Sequence, residues 1–265
     1  MNKQNGLSVV ITVKNEVDKI ARCLESVKWA NEIIIIDNGS TDSTLDICRK
    51  YSDKIFFDKS AYSVFIVNTG IGKAAFEWIL NVDADEVISE KLKAEILEKI
   101  QSDNHAYNGY FIPVKDYFMG KWLRYGGWCP SYIRRLYRNG KAKYLRRDFH
   151  VQVEIDGKVG YLSNPIMHYA PNDIFTFIRK MNHYTTNAAQ MDNGRRKISF
   201  FSTILKPPLI FIKRYFLLKG FLDGFPGFAI ATLSAIYIFI DNMKLIEFKY
   251  LKEVAIKNKR AHDED

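Results

Sequence analysis

The first hundred residues alternate short runs of apolar, largely β-branched residues with longer stretches of helical periodicity. The apolar runs are LSVVITV (7–13), EIIIIDN (32–38), KIFFD (54–58) and EWILNVD (77–83). The helical stretches cover about 16–28, 42–51 and 90–100. Strands and helices in this alternating order favour a mainly parallel sheet. The run IIII shows no polar alternation, which is typical of a central strand covered on both sides. The sequence therefore predicts an α/β fold with helices on both faces of the sheet.

Length and composition allow one large domain, or one domain with an appendage. The chain has 265 residues, of which 47% are hydrophobic, enough for a substantial core. Its three cysteines, Cys23, Cys48 and Cys129, are widely spaced and form no CxxC pair, so neither a disulfide framework nor a zinc site is indicated. The apolar run near the N-terminus is shorter than a signal-peptide core. We expect a cytoplasmic protein.

The net charge of +9 favours an anionic partner. Nucleic acid, phosphorylated small molecules and the anionic face of a membrane all satisfy this requirement. Nucleic acid fits worst, because the aromatic residues are not interleaved with Lys and Arg in an RNA-binding motif.

Residues 107–170 read as shorter strands separated by turns. The segment IDGK (155–158) contains the Asp-Gly pair that is typical of a β-hairpin turn. After about residue 170 the chain changes character and becomes rich in Phe, Leu and Ile. These features predict a second part of the sheet followed by a helical C-terminal region.

Two aspartates follow the fourth apolar run directly. Asp83 and Asp85 are two residues apart, so in extended geometry their side chains leave the strand on the same side. Open α/β sheets bind ligands at the carboxyl ends of their strands. Two carboxylates converging there favour a hard divalent cation, Mg²⁺ or Mn²⁺, that bridges to a phosphate. A solvated turn after a strand produces the same short pattern, so both interpretations stay open at this point.

Two further polar segments follow predicted strands and open predicted helices. TVKNE (12–16) and IDNGSTDST (36–44) lie where backbone N–H groups and the helix dipole favour anions. In the second segment, Ser40 or Thr41 is the predicted N-cap of the helix. Together with NVDADE, these segments resemble the inverting family 2 glycosyltransferases of the GT-A fold, which is Rossmann-like.

The resemblance continues into the second half of the chain. GGWCPSYIRRLYRNGKAKY, HVQVEIDGKVGYLSNPIMHY and KGFLDGFPGFAIA are similar to segments of the WaaE/KdtX-type lipopolysaccharide core glucosyltransferases. It implies a GT-A catalytic domain at 1–170, with a nucleotide-sugar half over about 7–100 and an acceptor half over about 101–170. Residues 171–265 would form the C-terminal helical region.

The resemblance also implies an activity and a set of site residues. The activity is inverting, metal-dependent transfer of a sugar, expected to be glucose from UDP-glucose, to a lipopolysaccharide-core or other lipid-linked saccharide. The implied cofactor is Mg²⁺ or Mn²⁺. The residues implied for donor binding are Thr12, Lys14, Asn15, Glu16, Asp37, Asn38, Ser40, Asn68 and Asp83. The residues implied for the metal are Asp83, Asp85 and His168.

Three positions depart from the pattern of the relatives. Similar proteins usually have His-Glu where this chain has His150 and Val151, and that Glu is the natural candidate for the base. A base must take the proton of the acceptor hydroxyl as its oxygen attacks the sugar, and valine cannot do so. Asp148 and His150 remain as candidate catalytic residues. Val67 and Ser131 stand where relatives tend to carry a cation and an acid.

The densest basic stretch directly precedes Asp148 in the sequence. Residues 134–147 contain seven Lys or Arg and no acid, including Arg134, Arg135, Arg146 and Arg147. A diphosphate or a phosphate-rich acceptor would explain this charge. A solvated strand face is the alternative explanation for any single one of these residues.

The composition of the C-terminal region indicates a membrane as a partner. The run from Gly224 to Ile240 has 17 uncharged residues, which is at the lower limit for a membrane span and is interrupted by Pro226 and Gly227. We therefore expect helices that lie in the interface of the inner face of the cell membrane, with basic residues toward anionic head groups. A helical hairpin packed on the catalytic domain, or against a second copy of the chain in a homo-oligomer, is the first alternative. A transmembrane helix is the second and fits less well.

Two functions of different classes remain open. The first is the membrane-associated glycosyltransferase described above. The second is a scaffold protein at the membrane that binds a nucleotide sugar but has lost turnover. The reason to consider it is Val151, which stands where relatives have the candidate base.

Overall fold

The computed structural model describes residues 4–60, 63–102, 106–147, 150–169, 173–192 and 196–263. The chain forms two compact units. The first comprises Met1–Tyr117 and Pro130–Ala170, and the second comprises Phe118–Cys129 and Pro171–Asp265. The assignment of a catalytic domain and a membrane-associating region to the predicted boundaries stays a prediction.

Strands dominate the first unit and helices the second. The strands are β1 Gln4–Val13, β2 Glu32–Asp37, β3 Ile55–Phe57, β4 Phe76–Asp83, β5 Glu86–Ile88, β6 Gly109–Phe118, β7 Lys121–Trp122, β8 Ser131–Arg138, β9 Ala142–Arg147, β10 His150–Ile155, β11 Val159–Tyr161 and β12 Ile166–His168. The α-helices are α1 Ile20–Val27, α2 Thr44–Cys48, α3 Ser63–Lys73, α4 Glu90–Gln101, α5 Ile174–Met191, α6 Phe200–Ile212 and α7 Phe225–Asp263.

The first unit is built on one mixed sheet in the order β3-β2-β1-β4-β8-β6-β12-β5. The strands β3, β2, β1 and β4 are parallel, whereas β8 is antiparallel to both β4 and β6. The strands β9 and β10 form a separate antiparallel pair. The chain order changes direction between β1 and β4, and α/β sheets bind ligands in the crevice at such a switch point. The candidate site therefore lies at the carboxyl ends of β1 and β4.

The parallel strands are covered on both faces, which explains their unbroken apolar sequence. In β2 every residue is buried, and alternate side chains enter different cores. Ile33 and Ile35 pack in the core that contains the buried face of α1, and Ile34 and Ile36 pack in the core that contains Val64 and other residues of α3. The predicted α/β architecture with helices on both faces is confirmed.

Three local features differ from the sequence-based expectations. Helix α3 was not expected. Helix α2 begins at Thr44, after Ser43, so neither Ser40 nor Thr41 is its N-cap. The Asp-Gly pair at 156–157 does not close a hairpin, because β11 pairs with β6 in parallel. The backbone of this turn is held by Asn108, whose N–H donates to the Lys158 carbonyl at 2.8 Å.

The second unit is a small helical assembly. Helices α5 and α6 both pack along α7. Its core contains Phe118, Leu123, Ala229, Ile230 and Leu233. A π-helical turn at Lys213–Leu217 and a 3₁₀ turn at Gly220–Asp223 connect α6 to α7.

One helix among the described residues is long and apolar enough to cross a membrane. It is the Phe225–Ala255 part of α7, with a mean hydropathy of 1.5 in its most apolar window, and 33% of that window is buried in the protein. Length and composition alone do not separate a membrane span from a core helix.

Candidate active site

Hydrogen bonds join the polar loops that follow β1 and β2. Asn15 has a left-handed backbone with φ of 55°. Its side-chain oxygen accepts the N–H of Thr41 at 2.7 Å, and its own N–H donates to the hydroxyl of Ser40 at 3.1 Å. Nζ of Lys14 donates to the side-chain oxygen of Asn38 at 3.4 Å. The two predicted donor-binding segments therefore form one continuous polar surface.

Two acids of these segments brace the loops themselves. Asp37 is buried, and its carboxylate accepts the N–H groups of Gly39 and Ser40 at 3.0 Å. These bonds hold the segment in a turn, which delays the start of α2. The carboxylate of Glu16 pairs with Lys19 at 2.7 Å.

The register of the strands aligns three predicted donor residues at one edge. Thr12 of β1 lies opposite Asp83 of β4, and the adjacent Val13 lies opposite Asp37 of β2. Because these strands are parallel, their carboxyl ends meet at the same edge of the sheet. Thr12 and Asp83 are thus cross-strand neighbours at the switch point, and Asp37 ends the adjacent strand one position further along, where its side chain leaves the other face of the sheet.

Asp83 belongs to an ionic cluster around Arg135 of β8. The guanidinium pairs with the Asp83 carboxylate, donates to the side-chain oxygen of Asn81 at 2.6 Å and donates to Glu86 at 3.3 Å. The other carboxylate oxygen of Glu86 accepts the N–H of Asp83 at 2.8 Å. The side chain of Asp83 is 44% exposed, whereas that of Glu86 is 3% exposed. Asp83 can therefore face a ligand while its orientation is held from below.

Burial and neighbouring charges shift the pKa values of Glu86 and Arg135 in opposite directions. Burial raises the pKa of Glu86 to about 7, although the guanidinium of Arg135 lowers it. Burial alone would lower the pKa of Arg135, but Asp83 and Glu86 outweigh it and raise this pKa well above the ordinary value. Arg135 is therefore a permanent cation under the acids of the edge.

Asp85 has a different partner. The chain turns at residues 84–85, so the extended geometry expected through Asp85 does not hold. Oδ1 of Asp85 lies 3.5 Å from Nε2 of His168, and Nδ1 of His168 lies 2.7 Å from Oδ1 of Asp116. Burial lowers the pKa of His168, but hydrogen bonds to Asp116 and Asp85 outweigh it and raise that pKa to about 10.

The donor set at Asp85 and His168 fits a divalent cation in part. A carboxylate oxygen, which suits Mn²⁺, lies close to an imidazole nitrogen, and both are partly exposed. The imidazole can ligate an ion only after it loses its proton, so binding of the ion would release that proton. Within the described ranges, no cluster of three or more His, Cys, Asp or Glu side chains is arranged to hold a metal ion. Mg²⁺-type sites commonly use one or two protein carboxylates and complete their coordination with substrate phosphates and water. The pair therefore fits an ion shared with a diphosphate.

Asn68 is engaged with the protein backbone. Its amide group donates to the carbonyl of Tyr144 at 2.9 Å and accepts the N–H of Tyr144 at 3.2 Å. This double contact attaches α3 to β9. The phenol of Tyr144 in turn donates to Asn81 at 2.8 Å, which extends the network to the Arg135 cluster.

The candidate base residues are Asp148 and His150. Asp148 lies outside the described residues. His150 begins β10, where its backbone pairs with that of Arg147, and Val151 pairs with Arg146. Their assignment as catalytic residues stays a prediction.

Sequence reasoning missed Asn81, Glu86, Asp116 and Tyr144. Asn81 carried a signal, since it is a polar residue inside the apolar run WILNVD and therefore needs a buried partner. The sequence around Asp116 gave no such signal, because the position of Asp116 opposite His168 arises from the pairing of β6 with β12.

The parallel core β3-β2-β1-β4 with polar side chains at its switch point is the arrangement of nucleotide-binding α/β proteins. Residues 8–170 match the family described as "Glycosyl transferase family 2". The chain belongs to this family.

Relatives and solved structures agree with this assignment. The chain is 30% identical over 260 residues to the lipopolysaccharide core biosynthesis glycosyltransferase LpsC of Rhizobium meliloti (strain 1021), covering 93% of this chain and 94% of the relative. It is 28% identical to the uncharacterized glycosyltransferase RP128 of Rickettsia prowazekii (strain Madrid E), over 90% and 86% of the two chains. The mannosyltransferase PcManGT from Pyrobaculum calidifontis, solved with GDP-Man and Mn²⁺, has a TM-score of 0.53 at 12% identity, over 93% and 89% of the two chains. The predicted GT-A fold is confirmed.

Proposed function

We propose that this glycosyltransferase is a metal-dependent, inverting enzyme that moves glucose from UDP-glucose to a lipopolysaccharide-core or other lipid-linked saccharide. The observation that carries the proposal is that Thr12 and Asp83 are cross-strand partners, with Asp37 at the end of the adjacent strand, at the switch point of a family 2 chain. The acceptor class is supported by the similarity to LpsC, whose name places it in lipopolysaccharide core biosynthesis. UDP-glucose rests on the resemblance to the WaaE/KdtX-type enzymes.

The donor would lie against the joined loops after β1 and β2. Partly exposed or exposed side chains there can contact a nucleobase and ribose, and Asp83 is exposed enough to join them. The proposed donor-binding residues are Thr12, Lys14, Asn15, Glu16, Asp37, Asn38, Ser40, Asn68 and Asp83. Asp37 is buried and Asn68 is bonded to the Tyr144 backbone, so these two would act by holding the site in shape.

Asp85 and His168, with Asp83 nearby, are the proposed ligands of Mg²⁺ or Mn²⁺. When bound, the ion supplies a positive charge against the charge that develops on the departing diphosphate. Asp116 would hold the His168 ring so that Nε2 stays toward Asp85. Arg135 would fix the Asp83 carboxylate and reduce the repulsion among the acids of the edge.

Inversion requires a base on the acceptor side of the sugar. As the acceptor oxygen attacks C1, its proton must pass to a group within hydrogen-bond reach. We propose Asp148 or His150 for this role, because Val151 cannot accept a proton. If neither performs it, the second function applies, in which the chain binds a nucleotide sugar as a scaffold protein without turning it over.

The enzyme would act at the cytoplasmic face of the cell membrane as a peripheral protein. The exposed apolar and basic residues of the second unit support binding to an anionic membrane surface. Homo-oligomer formation through the C-terminal helices is the alternative use of the same residues.

The test is release of nucleoside diphosphate from candidate nucleotide sugars with Mn²⁺, with and without core-saccharide acceptors. We expect acceptor-dependent release with UDP-glucose, and a loss of about a hundredfold in Asp85→Asn. Asp46→Asn, at an exposed helical position of the same unit, is the matched control and should retain activity. Donor binding by calorimetry without any turnover would favour the scaffold function, and no binding would reject both functions.

A further inference from the structure

Helix α6, the start of α7 and the segment between them expose large apolar side chains. Phe201 is 72% exposed, Leu209 61%, Leu217 72% and Phe225 62%. Within α6, whose residues are all described, Thr203 is the one buried residue. Single apolar residues scattered over a surface need no explanation, but so many large exposed apolar side chains within one segment indicate a binding surface.

The same segment is basic and contains no acid over a long stretch. From Ile198 to Leu222 there is no Asp or Glu, whereas Lys206, Lys213, Arg214 and Lys219 are present. The three lysines are exposed. Apolar and cationic side chains thus occur together, and we call the exposed part of residues 200–225 the basic apolar surface.

Close backbone packing holds this surface in shape. A Cβ atom at Gly227 would lie 2.0 Å from the carbonyl oxygen of Gly220, so the start of α7 rests directly on the 3₁₀ turn. The carboxylate of the buried Asp223 accepts the N–H of Arg124 at 3.0 Å. Arg214 donates to the carbonyl of Gly126 at 2.9 Å. The exposed side chains of the turns are therefore presented by a braced loop, which reduces the entropy lost on binding.

We propose that the basic apolar surface is a membrane-docking element that inserts its apolar side chains into the interface of a bilayer rich in anionic lipids. This inference rests on the proposed peripheral location and goes further by naming the element of the second unit that enters the membrane. Exposed Phe and Leu residues enter the acyl boundary, and each lysine near the surface adds attraction to anionic head groups.

Charge argues against a second copy of the chain as the occupant. A two-fold dimer brings the same surface patch of both copies together. Lys206, Lys213 and Lys219 of one copy would then face a surface that carries the same three lysines, and the segment from 198 to 222 offers no acid to pair with them. The cores of protein interfaces are also depleted in lysine.

Vesicle sedimentation of the full chain tests the proposal. The probes are vesicles of phosphatidylcholine and of an equimolar mixture of phosphatidylcholine and phosphatidylglycerol. We expect strong binding to the mixed vesicles, weak binding to the neutral ones, and a decrease with added salt. The double variant Leu217→Ser, Phe221→Ser should bind at least about tenfold more weakly. Phe57→Ser and Tyr161→Ser, which are 65% and 64% exposed on the first unit, are the matched controls and should bind normally.

Two triple variants that remove the same amount of charge isolate the contribution of the lysines of the basic apolar surface. Lys206→Gln, Lys213→Gln, Lys219→Gln should lower binding to the mixed vesicles by about a hundredfold. Lys50→Gln, Lys91→Gln, Lys158→Gln removes the same charge at exposed positions of the first unit and should have a much smaller effect. Equal losses in the two triple variants would overturn the proposal, as would equal binding to neutral and anionic vesicles.

Two further measurements separate the remaining outcomes. Light scattering without detergent would reveal a dimer lost in Leu217→Ser, Phe221→Ser, and that result would assign the surface to a second copy instead. Release of nucleoside diphosphate in solution should be unchanged in the lysine triple variant. Failure of vesicle binding with intact release would reject the docking element alone, whereas absent release in the unmodified chain would reject the proposed function.

Discussion

Nδ1 of His168 lies 2.7 Å from Oδ1 of Asp116, across the paired strands β12 and β6. One nitrogen of the imidazole is thereby held by a carboxylate, and the other, Nε2, faces Asp85. Carboxylates in this position fix the orientation of a histidine and raise its basicity as a metal ligand. Asp116 is therefore a positioning residue for the proposed metal ligand.

Asp116→Asn should weaken Mn²⁺ binding about tenfold, because an amide replaces the carboxylate that orients His168. The measurement is titration of Mn²⁺ followed by electron paramagnetic resonance, with and without UDP. Asp116→Ala should weaken binding further, since it removes the acceptor completely. Asp18→Asn, an exposed acid of the first unit, is the control for a general loss of negative charge. Unchanged Mn²⁺ affinity in both Asp116 variants would rule out the positioning role.

Arg135→Met should destabilise the protein by about 3 kcal/mol, because it leaves the buried Glu86 carboxylate without its cation. Adding Glu86→Gln to this variant should recover part of the loss, since a neutral amide is less costly to bury. Urea unfolding of the two single variants and the double variant gives the coupling between the residues. Additive effects would show that the guanidinium and the Glu86 carboxylate do not interact.

Glu32 links stability to pH through three hydrogen bonds. Its buried carboxylate accepts from the Ser8 hydroxyl at 2.6 Å and the Ala75 N–H at 3.0 Å, and it pairs with Lys54. Burial raises its pKa, but the Ala75 N–H, Lys54 and Ser8 outweigh burial and lower it. The stabilisation is thus present above the unfolded pKa of about 4.3 and is lost as pH falls through the lower folded value.

Glu32→Gln should therefore lower the free energy of unfolding by about 2 kcal/mol at neutral pH. The difference from the unmodified chain should narrow as pH falls below about 4, and should be smallest below the folded pKa, where both side chains are uncharged. Urea unfolding across this range provides the measurement, with Glu98→Gln at an exposed helical position as the control. A difference that stays constant with pH would mean that the ionised carboxylate is not the stabilising form.

The strands that form the parallel core could be predicted because their apolar runs are continuous and both faces are buried. The mixed half of the sheet could not be assigned from the sequence, because the pairing of β12 with β6 and of β8 with β4 depends on long-range register. The Asp156-Gly157 pair illustrates the difficulty. Its local chemistry favours a hairpin, but Asn108 donates hydrogen bonds to the carbonyls of Asp156 and Lys158 and holds the turn against a different part of the unit.

The candidate site, like the fold, could be predicted from the sequence only in part. The residues that end β1, β2 and β4 could be placed at one edge from topology alone, since parallel strands share that edge. Sequence spacing led to the expectation that Asp83 and Asp85 leave one face together, but the turn at 84–85 gives them the separate partners Arg135 and His168. Neither partner adjoins its acid in sequence, and only the antiparallel strands bring them there.

Helix α3 escaped prediction because it contains Gly70 and Gly72, which disfavour a helix when they lie in its interior. The two glycines have different surroundings. A Cβ atom at Gly70 would lie 2.5 Å from Cγ1 of Val10 and 3.0 Å from Cγ1 of Ile36, both in the core. A Cβ atom at Gly72 would meet nothing within 4 Å. Gly70 therefore permits close packing of the helix on the sheet, whereas Gly72 has no such packing requirement.

The same substitution in one helix should consequently have opposite effects. Gly70→Ala should destabilise the protein by about 2 kcal/mol through overpacking against Val10 and Ile36. Gly72→Ala should stabilise it by about 0.5 kcal/mol, because alanine loses less backbone entropy in a helix and fills open space. Thermal and urea unfolding of the two variants, each compared with the unmodified chain, provide the test. A neutral or stabilising Gly70→Ala would show that α3 does not lie in close contact with Val10 of β1 and Ile36 of β2.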